Sequence, residues 1–220
     1  MAMTNVKVKR KDVLSSNEID EMFKAADRIS NEYQRLRAKA IVSLFITGKR
    51  RQEVATLEKD NLKVEGDYLY VTFTVVKKRK KSIMATSRTK RFPLKSRYAQ
   101  HIIEYKEWLE EKQPECKYFF PSVRNVFAMA LSFSQDNHLT GRQILNIVKG
   151  LNPRAWCHLF RETRGAAVIK ADEQKDKVSI FTVYKVKHAL DLEKETTAWN
   201  YINRYATETI EDLEQLEEIQ

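Results

Sequence analysis

Apolar and polar positions alternate with helical spacing through much of this chain. After a polar, basic opening (MAMTNVKVKRKD), Ser15 stands three residues before Glu18 in a capping-box phrase, and Ile19, Met22, Phe23 and Ala26 follow on one face of an amphipathic helix. The pattern predicts a second helix over Tyr33–Thr47, with Leu36, Ala40 and Leu44 facing the core and Gly48 as its stop. A short helix should then open at KRRQEVATL, where Arg50 and Glu53 stand three apart.

The period then changes to two. Asp67–Val76 (DYLYVTFTVV) is rich in β-branched and aromatic residues and predicts a strand, with a return segment at Arg91–Leu94 whose pairing Pro93 limits. The intervening KKRKKSIMATSRTK is too long for a tight hairpin turn and strongly basic. Helical spacing resumes at Tyr98–Lys112, with Ile102, Ile103, Tyr105, Trp108 and Leu109 as a stripe, and two further helices are expected at Val126–Phe133 and Gly141–Lys149. The tail TETIEDLEQLEEIQ spaces Ile210, Leu213, Leu216 and Ile219 in steps of three, predicting an acidic amphipathic helix that docks on its own body or on a neighbouring subunit.

Charge sharpens this picture. Of 220 residues, 40 are Lys or Arg and 30 are Asp or Glu, a net charge of +10. Glu208–Gln220 holds six acids and no base, so removing it leaves the preceding body at +16. A body that basic suits a polyanion, with the acidic end held off the phosphates. The two cysteines, Cys116 and Cys157, fit neither a disulfide framework nor a CxxC metal site and point to a reducing, cytoplasmic setting. The longest mostly apolar run, Ala40–Ile46, is far short of a membrane span.

The chemistry concentrates between Leu151 and Tyr205. His158 and Arg161 share a helical face at i, i+3; His188 follows, then Tyr201 inside another helical pattern. Arginine offers a rigid fork to phosphate oxygens, histidine moves a proton near neutrality, and tyrosine can attack phosphorus and carry the phosphoryl group. This metal-free set suits a phosphodiester. Arg50, steadied by Glu53, would add a second clamp, although the bland reading of Lys49, Arg50 and Arg51 is a solvated cluster. A lysine of the basic loop would protonate the leaving group: strand parity puts Lys77 on the face of Leu69, Val71, Phe73 and Val75, with Lys78 as the alternative. The loop and return strand, with Lys78, Arg79, Lys80, Lys81, Arg88 and Lys90, would follow DNA. His101 and His138 read as structural or surface residues.

Three of these stretches resemble the boxes of tyrosine recombinases, the phage-type integrases. TGKRRQEVATL is similar to their first arginine box, with Arg50 and Glu53 in register; HLFRETRGAA resembles the second, with His158, Arg161 and Thr163 matching; VYKVKHALDLEKETTAWNYI resembles the closing segment, with His188 and Tyr201 matching. YFFPS and RFPL resemble two further landmarks. Two departures stand out. Lys187 takes the place of a glycine, and Tyr201 stands 13 positions after His188, more than is usual, with Tyr205 as the rival nucleophile.

The resemblance implies an α+β, mostly helical catalytic domain with a small antiparallel sheet or ribbon near one edge. It covers residues 14–206, between a linker at 1–13 and the acidic helix at 207–220; the helical domain that precedes it in relatives is missing, so the chain reads as a fragment or a short member. The implied activity is site-specific cutting and rejoining of double-stranded DNA through a 3′-phosphotyrosyl bond, without metal, ATP or other cofactor, by subunits that self-associate on DNA. Arg50 and Arg161 would hold the non-bridging oxygens, His158 would assist proton removal or bond an oxygen, His188 would bond the phosphate, Lys77 would protonate the leaving oxygen, and Tyr201 would attack in cis or in trans. The alternatives are an inactive DNA-binding or regulatory module of the same fold and a type IB topoisomerase-like enzyme.

Overall fold

The structure is a computed structural model that describes residues 13–75, 87–126, 130–174 and 178–206; the side chains of residues 125, 126 and 130 are also left aside. These residues form two compact bodies, one up to Thr163 and one from Arg164 onward. The division falls inside a helix.

The first body opens with α1 (Ser16–Asp27), started as its capping box requires: the Glu18 backbone N–H donates to Ser15 Oγ at 3.2 Å, and Ser15 N–H donates to Glu18 Oε2 at 2.9 Å. Ile19, Met22, Phe23 and Ala26 are buried, as their spacing dictates. Helix α2 (Glu32–Phe45), capped by Asn31, is the central core helix and packs against α4 (Arg97–Lys112) and α1. It stops at Gly48, whose φ of 75° lies in the left-handed region that favours glycine. The short α3 (Arg51–Ala55) follows at once.

A three-stranded antiparallel sheet comes next, in the order β1 (Leu62–Glu65), β2 (Tyr68–Thr74), β3 (Ser87–Pro93). Gly66, with φ 54°, makes the tight turn between β1 and β2. Leu69, Val71 and Phe73 alternate inward on β2 as expected, and Pro93 sits opposite Tyr68 at the end of the ladder, where its missing donor does little harm. Around Tyr105 of α4 the rings of Phe119 and Phe120 close the core at centroid distances of 5.0 and 5.4 Å.

The helix expected at Val126–Phe133 is not formed. Its described residues belong to two antiparallel strands, β4 (Pro121–Val126) and β5 (Ala130–His138), with Arg124 opposite Ser132 and Val123 opposite Phe133. The Phe133 ring packs edge-on against Tyr33 of α2 at 4.9 Å, a contact made across one hundred residues of sequence that no local period announces. Helix α5 (Gly141–Leu151) follows, started by a Thr140–Gln143 capping box.

Helix α6 (Cys157–Glu173) contains the division between the bodies. The second body gathers its later turns with α7 (Ile180–Ala189) and α8 (Glu195–Tyr205) around Ile169, Val183, Val186, Leu190, Ala198 and Ile202. Asp172 joins α6 to α7, accepting from Thr182 Oγ1 at 2.8 Å and from Lys185 Nζ at 2.7 Å. Residues 1–12 and 207–220, and with them the expected linker and acidic helix, lie outside the described residues.

Candidate active site

The site of the first body is built on the turn that ends α2. Phe45, in the last turn of α2, stacks on Phe160 of α6 with ring centroids 5.5 Å apart, so the first turns of α6 are pinned beside that turn. Arg161 follows Phe160. Its side chain is buried, and its Nη1 donates to the Gly48 carbonyl at 2.7 Å. Two residues after Gly48 stands Arg50, so residues that are 111 positions apart in sequence meet at one turn.

Glu53 holds Arg50 in two ways. Its Oε2 accepts the Arg50 backbone N–H at 2.9 Å, starting α3, and its Oε1 accepts from Arg50 Nη1 at 3.0 Å. The carboxylate is almost fully buried, while the Arg50 side chain keeps 36% of its surface exposed. A guanidinium braced from the protein side and open on the other is prepared for an anion.

Lys49 does not join a solvated cluster. It is buried, with Nζ 4.8 Å from the centre of the Phe73 ring on β2. Of the triplet, Arg51 alone is exposed. The aromatic face is a favourable place for a buried cation, and the sequence carries no sign of it because Phe73 is reached only through the fold.

His158 lies one turn before Arg161 on α6, largely exposed, with Nε2 3.0 Å from Glu162 Oε1 and its ring edge-on to Trp156 at 6.1 Å. Glu162 itself is buried. The sequence signal for Glu162 is its i, i+4 spacing to His158, which the expected site does not include.

On the sheet, Arg88 and Lys90 stand opposite Phe73 and Val71, and therefore share the face of β2 that carries Phe73 beneath Lys49. Lys77, Lys78, Arg79, Lys80 and Lys81 lie outside the described residues.

In the second body, His188 is exposed near the end of α7, and Tyr201 on α8 is buried in the apolar cluster of α6, α7 and α8. Tyr205, a turn later, is half-buried, with its ring 6.3 Å from that of Tyr201. Gly165 on α6 lets the tyrosine approach: a Cβ there would come within 2.6 Å of Tyr201 Cδ1. Lys187 is an ordinary helical residue whose Nζ meets Glu195 Oε1 at 3.2 Å; the left-handed position that ends α7 falls at Asp191, with φ 50°, so no glycine is needed before His188.

Elsewhere, His101 packs its ring 4.9 Å from that of Phe23 on α1, and burial lowers its pKa. His138 lies edge-on to Tyr118. Among the described residues no group of three or more His, Cys, Asp or Glu is arranged to hold a metal ion, and no helix is long and apolar enough to cross a membrane.

The fold has known relatives. Over 94% of its length the chain is similar to a XerH site-specific recombinase bound to a palindromic difH substrate in a post-cleavage complex, with a TM-score of 0.59 and 17% identity, covering 52% of that chain. It is also similar to a lambda integrase dimer bound to a COC' core site, with a TM-score of 0.50, 14% identity and coverage of 90% of this chain and 61% of that one. The chain therefore spans about half the length of the XerH recombinase. A comparison with curated proteins by sequence gives no match. The model of the phage integrase family matches residues 12–179, a stretch that holds the Arg50 turn, β4 and β5 and all of α6, and the chain belongs to the phage integrase family.

Proposed function

We propose that this chain is the catalytic domain of a site-specific DNA recombinase or integrase, which cuts and rejoins double-stranded DNA through a covalent 3′-phosphotyrosyl intermediate. The observation that carries the reading is the bond from Arg161 Nη1 to Gly48 O, which puts the second arginine box on the turn that displays Arg50, with His158 one helical turn away.

In the proposed reaction, Arg50 and Arg161 hold the non-bridging oxygens and offset the charge that gathers on the phosphoryl group, the largest share of the rate enhancement. The Tyr201 oxygen attacks phosphorus and the bond from phosphorus to O5′ breaks. The phenol, with an ordinary pKa of about 10, is a weak nucleophile at neutral pH, so its proton passes to a base, His158, as the new bond forms. His188 bonds the phosphate, and Lys77 delivers a proton to the departing 5′ oxygen. The phosphotyrosyl ester keeps the energy of the broken bond, so a 5′-hydroxyl from the same or another strand reseals it without ATP. Lys78, Arg79, Lys80, Lys81, Arg88 and Lys90 supply sequence-independent grip on the backbone, which makes binding fall steeply with salt. Self-association on DNA through the acidic segment 207–220 completes the reading.

The test uses a library of nicked duplexes with randomised core sequence, from which protein-linked DNA is recovered on denaturing gels. Wild-type chain forms an adduct; Tyr201→Phe forms none and still binds DNA in a salt-sensitive way. Full adduct with the phenylalanine variant would overturn the assignment of the nucleophile, and no adduct with wild type would overturn the activity.

A further inference from the structure

The site contains a buried carboxylate that the proposed reaction leaves without a role. Glu162 stands on α6 between Arg161 and Thr163, one helical turn after His158, and its Oε1 lies 3.0 Å from His158 Nε2. The two partners differ in environment: the His158 side chain keeps 58% of its surface exposed, the Glu162 side chain 8%. An exposed ion pair on a helix contributes little to stability, and a carboxylate costs free energy to bury unless donors satisfy it. The arrangement has the form of a buried carboxylate that steadies the back of an imidazole whose front faces solvent, the relation by which acid–histidine pairs fix ring orientation and tautomer.

We infer that Glu162 is the positioning residue for His158. Its carboxylate, beside Nε2, favours a proton on that nitrogen and leaves Nδ1 as the one that takes the phenolic proton. It also stabilises the imidazolium that forms as the proton arrives. The Trp156 ring, just before α6 begins, lies edge-on to the imidazole at 6.1 Å. Glu162 touches neither substrate nor nucleophile; it acts through His158. The inference rests on the proposed recombinase reading, because it assigns His158 the proton that Tyr201 gives up.

The experiment measures single-turnover adduct formation and duplex affinity for wild type, Glu162→Gln, Glu162→Leu and His158→Ala, and for each Glu162 variant combined with His158→Ala, on a nicked duplex recovered from the library. Glu162→Gln should slow adduct formation by about tenfold and Glu162→Leu by up to about 100-fold, the scale for supporting carboxylates, with affinity within about twofold of wild type. Combined with His158→Ala, neither should add more than about twofold, because residues acting as one unit are not additive. If Glu162→Leu does not fold, the isosteric Glu162→Gln decides alone. Wild-type rates in the Glu162 variants, or losses that multiply with that of His158→Ala, would overturn the positioning role while adduct formation by wild type leaves the recombinase reading standing. Absence of adduct from wild type would remove that reading and this inference with it.

Discussion

Glycine in the middle of a helix is a liability, and Gly165 in α6 accepts that liability for a reason that can be measured. Replacing such a glycine with alanine stabilises a helix by about 1 kcal/mol, which in a chain of this size raises Tm by about 2–4 °C when nothing stands in the way. Here the added Cβ would lie 2.6 Å from Tyr201 Cδ1, 2.8 Å from Cε1 and 3.2 Å from Leu190 Cδ1. Ordinary carbon contacts begin near 3.5 Å, so the tyrosine ring must retreat by roughly 1 Å. It has little room, being buried with Ile169, Val183 and Val186, and overpacking of this kind costs about 1–3 kcal/mol. Gly165→Ala should therefore be neutral to about 2 kcal/mol destabilising, the reverse of its helix propensity. If Tyr201 is the nucleophile, a displacement of about 1 Å should also slow adduct formation by up to about 100-fold. Thermal unfolding and adduct rate are measured on Gly165→Ala in two backgrounds, native and Tyr201→Ala. Without the ring, the same substitution should become stabilising. A rise of about 2–4 °C in the native background would show that the Tyr201 ring does not rest on Gly165 and would refute the reasoning.

Two other expectations are independent of catalysis. Burial holds the His101 pKa below its ordinary value, with Lys39 adding to the effect, so as pH falls below about 6.5 the unfolded chain takes up this proton before the folded one does and stability declines; His101→Gln should lose that part of the decline in denaturant titrations repeated across pH. Burial pushes the Cys157 thiol up to about 11, so iodoacetamide at pH 8 should label it slowly in the folded chain and rapidly in denaturant, as resolved by peptide mapping.

What the sequence disclosed and what it withheld follow one physical line. Features set by local spacing were legible: the Ser15–Glu18 cap, the stop at Gly48, the inward alternation of Leu69, Val71 and Phe73, and the Arg50–Glu53 pairing all depend on residues a few positions apart. Features set by distant partners were not. β1 buries only Leu62 of its four residues and exists by pairing with β2, and the apolar run around Val126 reads equally as helix or strand until Phe133 is seen against Tyr33. Lys49 is charged and opens the run Lys49, Arg50 and Arg51, so its burial on Phe73 follows only from the placement of β2. Glu162 is legible in the same way, since i, i+4 from a histidine is a local relation.

The central claim is that the Tyr201 oxygen becomes covalently joined to DNA, and trypsin gives a direct reading of it. Cleavage after Lys194 and Arg204 releases Glu195–Arg204, which contains Tyr201, separately from the residues that begin with Tyr205. Protein trapped on a nicked suicide duplex, digested and sequenced by mass spectrometry should carry its nucleotide on Tyr201 within that ten-residue peptide. Nucleotide on the Tyr205 peptide, or on neither, would contradict the account.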